Sequence, residues 1–146
     1  FDMAAFESEC RRVARSQALI SIVGYGVPEV HGPARELFSG FYWRQIHRFW
    51  PPARASIERG YADLDMGLAP VETGELPPFI EQQWSVDELA AYVRTWSACR
   101  NAAAQGHPEV HRRFEATLAE LWSDGSKHMI RWPIFAKAWR APERRQ

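Results

Sequence analysis

The 146 residues are 46% apolar and 25% charged, the proportions of one ordinary globular domain large enough to bury a core. Eighteen basic and eighteen acidic residues cancel, so no global field favours nucleic acid or acidic membranes. No apolar run approaches the ~18 residues of a membrane span, and no signal peptide is expected.

The chain opens on Phe1, a start that leads us to expect processing, cleavage or missing upstream residues. Asp2 is placed to cap a helix over residues 3–15, with Phe1 and Phe6 as its hydrophobic staple. Met3, Phe6, Cys10, Val13 and Ala14 form the apolar stripe, and the late arginines complement the helix dipole. Residues 18–25, A-L-I-S-I-V-G-Y, are nearly continuously apolar without strict alternation. That pattern predicts a strand buried on both faces in a parallel sheet, ended by a turn at Gly24, Gly26 and Pro28.

Gly32-Pro33 opens a second helix to about Trp50, which Pro51-Pro52 stops. Leu37, Phe38, Phe41, Tyr42, Gln45, Phe49 and Trp50 share its wide face, a core stripe rather than a ligand cage. Residues 65–78 hold two glycines and three prolines and read as an irregular loop over one face, of the length from which functional lids are drawn.

A short strand from Phe79 feeds a long helix from Ser85 to about Gln105. Ser85 and Glu88 make a capping box, and Trp84 and Leu89 a staple. Leu89, Tyr92, Val93, Trp96, Arg100 and Ala103 fall on one face at helical spacing. Gly106 caps the end, and a further helix runs from His107 to Trp122, burying Val110, Phe114, Leu118 and Leu121. After a turn at 123–126, residues 127–139 alternate as a strand, with Pro133 marking a bulge or a gap in its ladder. Residues 141–146 read as a flexible tail.

Little of this is motif chemistry. His107 and His111 stand four apart at a helix start, a spacing that can share a metal. H-P-E-V-H has no evident third ligand, though, so solvated helix residues are the expectation and no metal is. Cys10 and Cys99 sit in expected helices with no spacing pattern, which suits buried thiols in a reducing, cytoplasmic setting. Neither a P-loop nor a G-x-G-x-x-G fingerprint is present. Arg44, Arg94 and Arg100 could pair with a carboxylate. Arg94 reads either as such a ligand or as half of a structural salt bridge.

The block W-S-x-x-E-L…Y-x-R-T-W-S-A, with F-D…F-x-x-E-x-x-R-V-x-R, A-L-I-S-I-V-G-Y-G-V-P, F-Y…W-P-P-x-R and W-x-D-G…W-P-x-F around it, resembles class I S-adenosylmethionine-dependent methyltransferases. The similar branch is the methyltransferase type 11, or trans-aconitate methyltransferase-like, proteins, and the likeness is to their C-terminal half. It implies an α/β fold of about three strands and about four helices within residues 1–146 as a single domain. Residues 18–25 would be the fifth strand of the Rossmann-like sheet, and the last strand would insert antiparallel between the fifth and sixth. By resemblance Tyr25, Trp84, Tyr92, Arg94 and Trp96 are substrate-pocket candidates; the alternatives are a buried tyrosine with a satisfied hydroxyl for Tyr25, a salt bridge for Arg94 and plain helix packing for the other three, and no catalytic residue can be named.

In that family a glycine-rich loop after the first strand and an acid ending the second grip S-adenosylmethionine. Neither is matched here, so no cofactor-binding residue carries over, and this chain alone is expected neither to bind cofactor nor to turn over. The implied function is methyl transfer to a small molecule, possibly a carboxylate, as part of a longer enzyme. The implied partner is a missing N-terminal half or a second copy of the chain. The alternative is a non-catalytic, self-associating interaction module.

Overall fold

The computed structural model describes residues 2–143. In order the elements are α1 (Met3–Val13), β1 (Leu19–Tyr25), β2 (Glu29–Val30) and α2 (Arg35–Gly40). A π-helical turn (Phe41–Ile46), a 3-10 turn (His47–Phe49), α3 (Arg54–Glu58), β3 (Ala69–Val71) and β4 (Phe79–Trp84) follow. The chain ends with α4 (Val86–Arg94), α5 (Ser97–Ala104), α6 (Glu109–Leu121) and β5 (His128–Arg140). All four other strands pair with β5, and β1, β2 and β3 run antiparallel to it. The three strands expected from sequence are β1, β4 and β5. Among the described residues the sheet has five because β2 and β3, of two and three residues, are too short to leave a periodic signal, and the α-helices are six rather than about four. No described helix is long and apolar enough to cross a membrane.

The chain forms two compact units: Phe1–Val27, Ala53–Phe79 and Pro133–Gln146 in one, Pro28–Pro52 and Ile80–Trp132 in the other. In the first, Asp2 Oδ1 accepts the Ala5 N–H at 3.0 Å and caps α1, as its position before the apolar stripe predicts. The proposed Phe1 half of the staple lies outside the described residues. Arg11 bonds Glu7 one turn back and also donates to the Met66 carbonyl, tying α1 to the segment before β3. Ala141 is buried and donates its N–H to Ala18 O at 2.9 Å; residues 144–146 of the expected tail lie outside the described set.

β1 is not a parallel strand buried on both faces. It pairs antiparallel with β5 from Leu19↔Arg140 to Tyr25↔Ile134, and its residues alternate between exposed and half-buried. Among the described residues nothing covers the face that carries Leu19, Val23 and Tyr25. Pro133, without an N–H, falls just past the end of that ladder, where its carbonyl still accepts from Gly26 at 2.8 Å. Gly24 stands opposite Phe135, whose ring covers it so closely that a Cβ there would lie 2.5 Å from Phe135 Cε2. The same ring meets Tyr61 edge-on at 5.4 Å. Tyr61 follows Gly60, and both take positive φ, 54° and 58°, which completes the turn after α3.

In the second unit the expected helix of residues 32–50 is continuous in sense but not in pitch. The π-helical turn widens it and buries Phe41, Tyr42 and Ile46 together. The single long helix expected from Ser85 to Gln105 is two. Ser85 and Glu88 do form the capping box, with Glu88 Oε2 accepting the Ser85 N–H at 2.7 Å. The helix then stops at Thr95, whose Oγ1 donates to Tyr92 O at 2.6 Å, and Trp96 is extended (φ −67°, ψ 136°). A short polar side chain competing for helical carbonyls is the local reason.

The restart changes the phase, so α5 buries Ala98, Cys99 and Ala102, while Arg100 and Ala103 face out. α5 ends as Gly106 predicts: at φ 86° it lets the His107 N–H reach Ala102 O (2.8 Å) and its own N–H reach Ala103 O (3.1 Å). α6 packs on α4 and α5, burying Phe114 and Leu118, and Phe114 stacks on Phe41 at 4.1 Å. Leu121 is 47% exposed, and Trp122, at 1%, takes the buried place instead, its Nε1 donating to Ser126 O.

Candidate functional site

The second unit is built around linked aromatic rings. Trp84 ends β4, Tyr92 lies on α4, Trp96 stands between α4 and α5, and Trp132 is on β5. Trp84 lies 4.9 Å from Trp132 and 5.3 Å from Tyr92, ring to ring. Trp132 Nε1 donates to the Tyr92 hydroxyl at 3.1 Å, which fixes that hydroxyl among the rings. Trp96 is the hub: Tyr92, Tyr42, Trp50, Phe38 and Phe41 surround it at 5.4–6.3 Å. So the structure puts Tyr92 against Trp96, which the sequence set four residues apart on one helix face, and brings Trp84 and Trp132 to Tyr92. Trp96 and Trp132 are 6% and 5% exposed and present almost no surface. Trp84 and Tyr92 are half-buried, and they carry what wall this cluster can offer.

Arg94 lies on the exposed side of α4, where its Nε donates to Glu115 Oε1 at 2.9 Å. That carboxylate holds the guanidinium pKa above its ordinary value. Arg100 Nη1 donates to Thr95 O, and Arg44 folds back over Gly40. Arg94 and Arg100, weighed above as carboxylate ligands, thus have partners within their own unit. Tyr25 ends β1 in the first unit, half exposed.

His107 Nδ1 is 3.5 Å from Glu109 Oε1, and its ring lies 5.6 Å from Phe49. Among the described residues no three His, Cys, Asp or Glu side chains stand where they could hold a metal ion. Cys99 is buried and donates its S–H to Val93 O at 3.3 Å. Burial pushes its thiol up to about 11, so it stays protonated and is no nucleophile at neutral pH.

The first unit contains an open groove of about 870 Å³ between the 65–75 segment and the end of β5. Leu68 and Trp139 are among its apolar walls, and Asp65, Glu72, Glu75 and Lys137 its charged ones. Lys137 Nζ donates to Ala62 O and Leu64 O, each at 2.9 Å. Its charge is also felt by the Asp63 carboxylate, which the Arg59 guanidinium chiefly and Lys137 in part hold below the ordinary carboxylate range. The length of the 65–78 loop pointed toward this place; Lys137 and its neighbours on β5 were not singled out. The available signal was a lysine inside the otherwise apolar run of residues 132–139.

No protein-family model matches the sequence, and no curated protein matches it. A solved structure described as a "putative type II methyltransferase" from Anaeromyxobacter dehalogenans does match, with a TM-score of 0.76 at 31% identity. The match covers 98% of this chain and 61% of that one. These residues share that protein's fold over nearly their whole length and span about three fifths of it.

Proposed function

We propose that these residues form the acceptor-side portion of a methyltransferase that draws its methyl group from S-adenosylmethionine and passes it to a small molecule. The carrying observation is the likeness just described, 31% identity over 98% of the chain to 61% of a protein described as a methyltransferase. In such a transfer a lone pair on the acceptor forms the new bond to the methyl carbon. The carbon–sulfur bond breaks toward sulfur, and the sulfonium leaves as a neutral thioether. The protein chiefly has to hold acceptor, methyl and sulfur in line.

Within this reading the groove of the first unit takes the acceptor. Lys137 is the one cation among its lining residues, beside the carboxylates of Asp65, Glu72 and Glu75, and Leu68 and Trp139 offer apolar walls to the acceptor's carbon skeleton. The cofactor grip is assigned to the part of the fold that the match leaves uncovered, since the sequence holds no glycine-rich phosphate or nucleotide loop. Two free thiols, Cys10 and Cys99, fit a reducing, cytoplasmic setting.

The test uses the complete product of the gene encoding these residues, incubated with methyl-labelled S-adenosylmethionine and a panel of small carboxylic acids. Label should pass to an extractable acid ester, and S-adenosylhomocysteine should bind the complete product but not the 146-residue chain. A complete product that binds no S-adenosylhomocysteine would refute the proposal. One-site binding to the 146-residue chain would move the cofactor residues into it.

A second reading, a self-associating module without catalysis, is favoured by one observation. Leu19, Val23 and Tyr25 on β1 are all half or more exposed, an apolar surface that catalysis does not require.

A further inference from the structure

We infer that the first unit holds an oxyanion site, a small pocket between α1, the residues leading into β3 and the end of β5, where Arg11 and Arg140 take a phosphate group. The pocket has a volume of about 250 Å³, and Arg11, Gly67, Leu68, Arg140 and Pro142 are among the residues that line it. All of them belong to the first unit. Two of the lining residues are cations and none is an acid. The neighbouring groove, which shares only Leu68 with it, carries three carboxylates and one ammonium. The two therefore suit different ligands, and the pocket stands apart from the methyl-transfer reading. Nor does it depend on the uncovered edge of β1. At Arg140, β5 is paired on both sides, with Leu19 and with Ala69, and Leu68 and Ala69 belong to the side across β5 from that edge.

Both guanidiniums are anchored through part of their donor sets. Arg11 is held by Glu7 Oε1, 3.2 Å from its Nε and 2.7 Å from its Nη2, and by the Met66 carbonyl. Arg140 Nη1 donates to Gln17 O at 3.2 Å. Among the described residues no carboxylate pairs with Arg140, and Arg11 Nη1 and Arg140 Nη2 have no protein partner. Two guanidiniums less the Glu7 carboxylate leave a net charge of +1, which an oxyanion neutralises.

Gly67 keeps the space open. At φ 55° it takes a backbone conformation that favours glycine, and a Cβ there would stand 2.9 Å from Arg11 Nη2. A water molecule's share of liquid volume is about 30 Å³, so the pocket admits a tetrahedral anion with room for what it is attached to. Guanidinium forks match phosphate through parallel N–H···O bonds. A phosphate has oxygens enough for two forks, whereas the two oxygens of a carboxylate satisfy one.

The experiment is a calorimetric titration of inorganic phosphate, and separately of acetate, into the complete product of the gene encoding these residues at constant ionic strength. Phosphate should bind at one site and raise the melting temperature, and acetate should bind at least about tenfold more weakly. Arg140→Gln, at an exposed position, should raise the phosphate Kd about tenfold or more. Arg11→Lys keeps the charge but loses the fork, and should raise it by a smaller factor. Arg12→Gln removes a charge from the same helix outside the pocket and should leave binding unchanged. Circular dichroism checks that each variant folds, and the phosphate–acetate comparison in the wild type needs no variant. No saturable phosphate binding overturns the inference, and so does binding that all three substitutions weaken alike. Acetate as tight as phosphate would overturn it in favour of a carboxylate site.

Discussion

Replacing Trp96 with alanine separates a packing role from a ligand-wall role at the centre of the aromatic cluster. The side chain is 6% exposed and touches five other rings at 5.4–6.3 Å. A buried tryptophan withdraws up to about 250 Å² from water, which at about 25 cal/mol/Å² is about 6 kcal/mol. The retained methyl and partial burial in the denatured chain bring the expected loss to about 4 kcal/mol, within the range of large-to-small core changes. That is a large part of the ~5–15 kcal/mol that holds a domain together. Urea unfolding followed by far-UV circular dichroism measures it, with the midpoint falling steeply and the slope unchanged. Trp96→Phe, which keeps one ring in the hub, should recover much of the loss. A loss below about 1 kcal/mol would refute the reasoning, because a ring that can be deleted so cheaply faces a space able to hold something else.

Ser85→Ala removes the acceptor that receives the Glu88 N–H and should cost about 1 kcal/mol in the same assay; no change would mean that packing alone starts α4. The Ser85 N–H, with Lys127 beside it, holds Glu88 below the ordinary carboxylate range. A depressed folded-state pKa gives stability that is present above the unfolded value and lost as pH falls through the folded one. Thermal unfolding across acidic pH should therefore show Glu88→Gln with a shallower acid loss than wild type, and parallel curves would remove Glu88 from that limb. Cys99, buried and raised to about 11, should react with a thiol reagent at pH 8 only on unfolding, while half-buried Cys10 reacts sooner; equal rates in the native protein would contradict its burial. Gly24→Ala drives a Cβ into the Phe135 ring and should cost about 1–3 kcal/mol. Phe135→Leu in the same chain should recover part of that, and strict additivity of the two would show that they do not meet.

What the sequence determined by itself was everything with a local cause. Asp2, the Ser85–Glu88 box and Gly106 each satisfy backbone groups within a few residues, so the starts of α1 and α4 and the end of α5 were legible from residue type and spacing. β1 was legible as a strand from its apolar run and β5 from its alternation, and the approach of Tyr92 to Trp96 from their spacing of four. The same local logic misread Thr95, whose hydroxyl ends α4 and shifts the buried face from Arg100 and Ala103 to Ala98, Cys99 and Ala102.

Tertiary structure alone decided the rest. An apolar strand reads the same whether its faces are covered or bare, so only the pairing of β1 with β5 showed that Leu19, Val23 and Tyr25 stand exposed. Arg94 could have met a ligand or an acid, and the choice fell to Glu115, 21 residues on. Trp132 reaches Tyr92 across 40 residues, and Lys137 reaches the Ala62 and Leu64 carbonyls across more than 70. Those distances in sequence leave no periodic trace, because what closes them is the burial of distant surfaces against each other and not any local preference of the chain.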